Sequence, residues 1–173
     1  AEALRGNAVL TELNLARNGI DAAGAVALAS ALRVNEVLKT INLRGNSLGT
    51  EGWCAIFAAL RDNKENKIES WDVSDQGINT EIAKVLAEYV SVSRVLTNLN
   101  ISWNNIGPEG GVAIGKALAA NGVLKTLNLR DNKIGAAGAT AIASALQVNE
   151  VLTELGLSSN GMDDAGAVAL ASA

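Results

Sequence analysis

The sequence of 173 residues contains no histidine, one cysteine and one proline, and aromatic side chains make up only 3% of it. Without histidine, no Ser-His-Asp or Cys-His catalytic site and no histidine-based metal site can form. The single cysteine, Cys54, excludes an internal disulfide and a cysteine-based zinc site, and its position in a repeated apolar slot predicts a packing role. These absences predict a protein that is not an enzyme and holds no cofactor or metal.

Clusters of basic residues are also missing, and the formal net charge is −4. A surface that binds nucleic acid or an anionic membrane needs clustered lysine and arginine. The longest apolar stretch, residues 22–32, is too short to cross a bilayer, and Arg33 follows it. We therefore expect neither nucleic acid nor a membrane as a partner.

The residues that are abundant, leucine, alanine and glycine, are arranged in an internal repeat. Residues 10–20 read Leu-Thr-Glu-Leu-Asn-Leu-Ala-Arg-Asn-Gly-Ile, which fits the pattern L-x-x-L-x-L-x-x-N-x-L. Matching segments start near Leu10, Leu38, Ile68, Leu96, Leu124 and Leu152. Their spacing is 28 residues, except for 30 residues between Leu38 and Ile68. We therefore predict a single domain, residues 1–173, built from about six stacked units.

A helix is predicted after each of these segments. Within residues 25–32, alanine and leucine fall at i, i+3, i+4 and i+7, which is one face of a helix. Helix N-caps are expected at Asp21, Asn79 and Asp163. Small residues form a column that should let neighbouring helices approach closely, namely Ala27, Ala55, Val85, Ala113, Ala141 and Ala169. Because no unit can bury its apolar face alone, stacking must join the units into one core.

Two columns of asparagine accompany the repeat. The first follows the strand segments and comprises Asn18, Asn46, Asn104, Asn132 and Asn160. A buried amide there can satisfy backbone groups left open by the turn, which predicts a structural ladder. The second follows the helices and comprises Asn35, Asn63, Asn121 and Asn149. We expect these residues to end the helices in the left-handed conformation.

The 28-residue spacing and the phrase N-x-I-G-x-x-G-A-x-A-L-A-x-A-L resemble leucine-rich repeats of the ribonuclease-inhibitor-like class. That class includes ribonuclease inhibitor, the repeats of NACHT-type receptors, Ran GTPase-activating protein and tropomodulin. The resemblance covers the whole chain and implies an α/β solenoid, a right-handed horseshoe arc with parallel strands on the concave face and helices on the convex face. It also implies an intracellular, cytoplasmic protein whose role is to bind another protein.

The two ends of the chain resemble interrupted units. The first residues align with the helix of the following unit, and the last residue, Ala173, falls inside another helix. Neither end carries the polar capping unit that solenoids normally have. We therefore expect a piece of a longer array, truncated within helices at both ends, that can associate end to end with other copies.

Binding residues are expected on the strand face, where side chains that alternate with the core leucines point outward. One column predicted to be exposed there is Ala16, Arg44, Ser74, Ser102, Arg130 and Ser158. The candidates for protein binding are Trp103, Arg44, Arg130, Asp72, Asp75, Asn100, Asn128, Asp131, Asn98 and Glu12. Trp103 leads because an exposed tryptophan can carry much of the binding energy of an interface. The alternative for Trp103 is a ring that simply lies over Asp75 and Asp131.

The third unit departs from the pattern. Its loop gains two residues within residues 62–67, Trp71 replaces a core leucine, and Gln76 replaces the ladder asparagine. This unit is either a specialised docking site or ordinary sequence drift in which large side chains compensate for one another.

Two other functions remain open for the whole chain. A module that assists a partner's nucleotide hydrolysis would use Arg44 or Arg130, and a structural spacer would bind nothing on the strand face.

Overall fold

The computed structural model describes residues 2–173, in which short strands alternate with helices. The elements in chain order are α1 Glu2–Arg5, β1 Glu12–Asn14, α2 Ala22–Leu32, β2 Thr40–Asn42, α3 Gly49–Asp62, β3 Ser70–Asp72, α4 Thr80–Val92, β4 Asn98–Asn100, α5 Gly107–Ala120, β5 Thr126–Asn128, α6 Gly135–Leu146, β6 Glu154–Gly156 and α7 Asp164–Ala171. This alternation confirms the α/β solenoid expected from the repeat. No helix in residues 2–173 has both the length and the apolar character needed to cross a membrane.

The strands are parallel, and each one except β2 pairs in register with the equivalent residues of the strand in the next unit. Glu12 of β1 lies opposite Thr40 of β2, and Asn98 of β4 lies opposite Thr126 of β5. The middle residue of each strand faces the core, and the six are Leu13, Ile41, Trp71, Leu99, Leu127 and Leu155. The residues on either side of the middle one form the strand face, which we define as the outward side chains of the six strands and of the turns that follow them.

The helix starts agree with the sequence. Asp21, Asn79 and Asp163 are extended residues whose side chains accept hydrogen bonds from backbone N–H groups of the first helical turn. Each such bond satisfies one of the donors that a helix leaves unpaired at its N-terminus. The caps therefore fix where the strand turns into the helix in three of the units.

Small residues bring adjacent helices together, and Ala141 of the predicted small-residue column is one of them. A Cβ atom added to Gly115 of α5 would lie 2.7 Å from the backbone carbon of Ala141 in α6. One added to Gly111 would lie 3.0 Å from the Cα of Gly138. Side chains at these glycines would force α5 and α6 apart, so close packing of these two helices depends on them.

The first asparagine column forms the expected ladder inside the stack. The Asn104 amide donates to the carbonyls of Val73 and Ile101 at 3.0 and 2.9 Å, and its oxygen accepts from the N–H groups of Gln76 and Ile78 at 3.0 and 2.9 Å. The side chain therefore links two successive turns through these hydrogen bonds and a fifth, longer one to the Ser102 carbonyl at 3.2 Å. The ladder weakens at the first unit, where Asn18 is exposed.

The prediction for the second asparagine column is wrong. Asn63 and Asn121 have φ values of −82° and −90°, which belong to extended backbone and not to the left-handed region. Their side chains instead reach into the preceding unit, where Asn63 donates to the carbonyls of Leu32 and Asn35 at 2.8 Å each. The column is a second ladder, at the edge of the molecule where the helices lead into the strands.

The strand face is also less open than alternation predicts. Ser74 and Ser102 belong to a column expected to be exposed, yet both are buried. The Ser102 hydroxyl donates to the side-chain oxygen of Asn100 at 2.8 Å and folds back against its own strand. Because serine is short, its hydroxyl reaches only the neighbouring Asn100 side chain and does not project from the face.

The sheet is interrupted between β2 and β3. The strands form one sheet of β1 and β2 and another of β3 to β6, and within residues 2–173 no strand ladder joins the two. The Glu69 N–H still donates to the Lys39 carbonyl at 3.2 Å where the strands begin. We call this interruption the seam.

Aromatic side chains fill the core beneath the seam. The rings of Trp53, Phe57 and Trp71 have centroid separations of 5.3 to 6.0 Å, and all three side chains are buried. The Trp71 side chain is larger than the leucine side chains at the equivalent positions of β4 to β6. We attribute the loss of strand hydrogen bonds at the seam to this added volume, because well-packed cores do not absorb extra atoms without moving the backbone.

Candidate protein-binding site

One column of the strand face uses its polar atoms partly for its own turns. Side-chain oxygens of five residues accept a hydrogen bond from the backbone N–H two positions later, namely Asn14, Asn42, Asp72, Asn100 and Asn128. Such bonds stabilise the bend that ends each strand. The three binding candidates in this column, Asp72, Asn100 and Asn128, therefore have a structural role whether or not a partner contacts them.

The turn that follows each strand requires a left-handed residue. Positive φ values occur at Arg17, Gly45, Asp75, Trp103, Asp131 and Ser159. Glycine, asparagine and aspartate tolerate this conformation, whereas a bulky side chain there is unusual and costs energy. Trp103 has φ +58°. The fold requires the left-handed backbone at this position but does not require a tryptophan.

Trp103 presents its ring to solvent and contacts a candidate from the next unit. Its side chain is 52% exposed, and the Arg130 guanidinium carbon lies 5.0 Å from the ring centroid. The backbone N–H of Trp103 donates to the Arg130 carbonyl at 2.8 Å, so the two residues are also joined through the backbone. A cation over an indole face contributes about 0.5–1 kcal/mol at an exposed site. The pair forms a preorganised platform with an aromatic surface and a charge.

Sequence reasoning selected both residues but missed their contact. Trp103 and Arg130 are 27 residues apart, one fewer than the repeat. Residues 28 positions apart lie side by side in neighbouring units, so Asp131 is the equivalent of Trp103 in the next unit. Arg130 is the residue before Asp131 and therefore also lies beside Trp103. That spacing was the available signal for the pair.

Three other charged candidates form a separate group on β1, β3 and the turn that follows β2. Arg44 and Asp72 make an ion pair with 3.6 Å between Nη1 and Oδ2, and with Glu12 they line a hollow of about 390 Å³. This ion pair bridges the seam on the strand face. Both side chains are about half exposed, so the pair contributes little stability.

The remaining candidates lie beside these groups. Asp75 is exposed and Asp131 half-buried, and both occupy the left-handed turn column on either side of Trp103. Asn98 is exposed at the start of β4, where its side-chain oxygen accepts a hydrogen bond from the Thr97 hydroxyl at 2.7 Å. The candidates thus include two groups, a platform formed by Trp103 and Arg130 and a hollow lined by Glu12, Arg44 and Asp72.

Cys54 lies away from both groups on α3 and is half-buried. Burial, and secondarily the charge of Glu81, raises the pKa of its thiol. A raised pKa keeps the sulfur protonated near neutral pH, and a thiol is a much weaker nucleophile than a thiolate. The structure therefore supports the packing role that the sequence predicts.

Comparison with known proteins identifies the repeat. A family model described as "Leucine Rich repeat" matches residues 6–29, 34–56, 92–115, 120–143 and 148–171. The segment between the second and third matches contains most of the divergent third unit. No match to a curated protein sequence was found. Among solved structures, one titled "Leiomodin-1 Actin-Binding Site 2 (ABS2)" is similar with a TM-score of 0.53 and 22% identity, covering 90% of this chain and 75% of that one. This similarity concerns the fold alone.

Proposed function

The chain belongs to the leucine-rich repeat family, and on that basis we propose that it is a non-catalytic module that binds a protein partner through its strand face. We place the centre of the interface at Trp103 and Arg130. Membership of the ribonuclease-inhibitor-like class, with its helix in every unit and its cytoplasmic setting, belongs to the same proposal.

The observation that carries the proposal is the exposed, strained tryptophan of the platform. An indole that is 52% exposed loses the benefit of burial, and its left-handed backbone adds a cost. Strained residues concentrate at functional sites, and tryptophan and arginine are enriched among the residues that dominate interface energies. Covering the ring with a partner would recover the apolar burial that the free chain lacks.

A catalytic role in trans has less support. An arginine that completes a partner's nucleotide site must be free to reach into it. Arg44 is paired with Asp72, and Arg130 lies over Trp103, so both arginines already have partners within the chain. These contacts favour recognition of a partner over assistance in its chemistry.

The test compares Trp103→Asn with Lys84→Ala, a control on the exposed surface of α4. Asparagine accepts the left-handed backbone, so the variant removes the ring without straining the turn. Proteins captured by the wild-type chain are purified, and their dissociation constants for all three chains are measured by calorimetry. Purified actin is a defined first partner to assay, because the structurally similar leiomodin segment is named as an actin-binding site.

We expect Trp103→Asn to raise the dissociation constant by roughly 30-fold, which corresponds to about 2 kcal/mol, while Lys84→Ala leaves it unchanged. A partner that binds Trp103→Asn as tightly as the wild type would exclude the platform as the centre of the interface. If neither the wild-type chain nor Lys84→Ala captured a partner, the spacer hypothesis would be favoured.

A further inference from the structure

A groove runs along the edge of the molecule where helices lead into strands, on a different surface from the strand face. It has a volume of about 790 Å³ and lies between the loop that follows α3 and the loop that follows α5. Leu60, Arg61 and residues 63–66 line one side, residues 91–95 form the floor, and Ala120, Gly122 and Val123 line the other side. We call this feature the edge groove.

The edge groove exists because the third unit replaces one asparagine of the second ladder. Asn63 and Asn121 fill that position in the units on either side, whereas the third unit has Ser93. The inserted Asn66 takes over the missing hydrogen bonds, since its side chain donates to the carbonyls of Leu60 and Asn63 at 3.3 and 2.9 Å. The backbone is therefore satisfied without a long side chain at Ser93, and the space above the serine stays open.

Basic side chains at equivalent positions of two successive loops line the groove. Arg94 occupies the position held by Glu36 and Glu150 in the equivalent loops, and Lys64 occupies the same position in the loop that follows α3. Arg94 and Lys64 are both exposed, and across residues 2–173 neither forms a salt bridge. These two cations stand out in a chain whose net charge is −4.

The other charges that line the groove are already paired. Arg61 contacts Asp62 and Glu88, and the hydrogen bond from Arg61, followed by that from Arg33, lowers the pKa of the Asp62 carboxyl. Glu65 is the acidic residue of the lining, and its carboxylate lies 3.8 Å from the Lys67 ammonium. The electrostatic character of the edge groove is therefore set by Lys64 and Arg94, and it is positive.

The lining is also aliphatic. Val92, Val95 and Val123 contribute to the groove, and Val92 is 45% exposed although Tyr89 and Val90, in the same helical turn, are buried. A positive site with an aliphatic floor and no aromatic stacking surface is unsuited to the bases of nucleic acid. It is suited to a peptide that carries both carboxylates and branched aliphatic side chains.

We propose that the edge groove is a second binding site, independent of the strand face, for an acidic and aliphatic segment of a partner protein. Carboxylates of the segment pair with Lys64 and Arg94, and an aliphatic side chain packs on Val92, Val95 and Val123. The proposal gives the divergent third unit a docking role. The unit's compensating changes keep it folded, while Ser93 and Arg94 give the groove its space and charge.

The experiment uses two synthetic pools of ten-residue peptides and the whole chain labelled with nitrogen-15. One pool combines Asp and Glu with Val, Leu and Ile, and the other replaces the acidic residues with lysine. We expect the acidic pool to shift the amide signals of Ser93, Arg94 and Gly122 and the lysine pool to leave them unchanged. The affinity for individual acidic peptides should fall as salt is added, because exposed charges are screened.

Two variants provide the decisive comparison. Arg94→Glu restores the residue found at Glu36 and Glu150, so it suits the fold, and Lys64→Glu changes the other cation. Each should raise the dissociation constant of the best acidic peptide at least tenfold, whereas the matched control Lys84→Glu on α4 should not. Circular dichroism spectra equal to those of the wild type establish that the variants are folded.

The proposal is wrong if the acidic pool shifts no amide signal at the edge groove. It is also wrong if the lysine pool, or a ten-nucleotide polyuridine, shifts these signals as much as the acidic pool does. Equal affinities of Arg94→Glu and Lys84→Glu for the best acidic peptide would contradict it as well. The variant Trp103→Asn should bind the acidic peptide as tightly as the wild type. Loss of peptide binding in Trp103→Asn would mean that the peptide occupies the strand face, so failure of this proposal and failure of the strand-face function give different results.

Discussion

At the scale of single residues, asparagine side chains replace hydrogen bonds that the backbone of a stacked turn cannot make for itself. One ladder lies where strands end and the other where helices end. Each amide offers two donors and one acceptor oxygen, which is what a turn with open carbonyls and N–H groups needs. Removing such a side chain from a buried position leaves several polar groups without partners.

We predict that Asn104→Ala destabilises the chain far more than Asn18→Ala. Asn104 is buried and makes five hydrogen bonds, three to the preceding turn and two within its own, so we expect a loss of about 3–5 kcal/mol. Asn18 occupies the equivalent position in the first unit but is exposed, so its loss should cost less than about 1 kcal/mol. Urea denaturation followed by circular dichroism measures both values. Equal losses would show that the ladder contributes no more inside the stack than at its end.

We predict that ionisation of the buried Tyr89 phenol lowers the stability of the fold at high pH. Burial raises the pKa of its phenol to about 12, because the charged form is poorly solvated in the core. The unfolded chain has a tyrosine pKa of about 10, so this group stabilises the fold fully below pH 10 and the contribution is lost as pH rises through 12. We expect about 2–3 kcal/mol to disappear over that window. Urea unfolding between pH 8 and pH 12 should show a steeper fall for the wild type than for Tyr89→Phe, in which other titrating groups are unchanged. Parallel curves would contradict the assignment.

Sequence reasoning was uneven at this scale. It predicted the first ladder because an asparagine after a strand faces a turn with open backbone groups. It failed for Asn63 and Asn121, since an asparagine after a helix fits a left-handed cap equally well on pattern alone. The structure decides between a left-handed cap and a ladder, because the preceding unit places the Leu32 carbonyl within reach of Asn63 and the Val90 carbonyl within reach of Asn121. The role of Asn66 was unpredictable for the same reason, because the sequence shows an insertion without showing which carbonyls it reaches.

At the scale of elements, the seam joins its two strands differently from every other pair of neighbouring strands. Elsewhere the strands share backbone hydrogen bonds, as where the Val73 N–H donates to the Asn100 carbonyl at 2.8 Å. At the seam, the backbone hydrogen bond from the Glu69 N–H to the Lys39 carbonyl remains, and ion pairs join Lys39 to Glu69 at one end and Arg44 to Asp72 at the other. The strand boundaries could be predicted from the leucine pattern. The loss of pairing could not, since the pattern shows which side chains face inward but not how far Trp71 pushes its strand from the next.

We predict faster hydrogen exchange at the seam. The N–H groups of Leu43 and Gly45 should exchange at least about tenfold faster than those of Val73 and Asp75, which occupy the same positions one unit later and donate to the next strand at 2.8 and 3.0 Å. One missing hydrogen bond of about 1–1.5 kcal/mol corresponds to roughly this factor. Exchange measured by nuclear magnetic resonance at one pH gives the comparison directly. Similar protection at all four amides would show that the two sheets are joined in solution.

At the scale of the whole molecule, each unit of a solenoid is stabilised mainly by its neighbours, so the weakest interface decides whether the stack unfolds in one step. Across the seam, strand hydrogen bonds are replaced by the packing of Trp53, Phe57 and Trp71. The units before and after the seam should therefore remain coupled only while these rings are in place. The five ordinary units could be predicted from the repeat, but this dependence follows from the contacts of one atypical unit.

We predict that Trp71→Ala divides unfolding into two steps, whereas Leu99→Ala does not. Both residues are buried at the middle of a strand, and truncating each should cost about 2–5 kcal/mol. Leu99 lies in β4, which is paired with strands on both sides, so its loss should lower stability without breaking the coupling between units. Trp71 holds the seam, so without it residues 2–48 should unfold at lower urea than residues 96–173. Hydrogen exchange followed by mass spectrometry, read segment by segment across a urea series, separates the two cases, and coincident transitions in Trp71→Ala would show that the aromatic cluster does not couple the two parts of the stack.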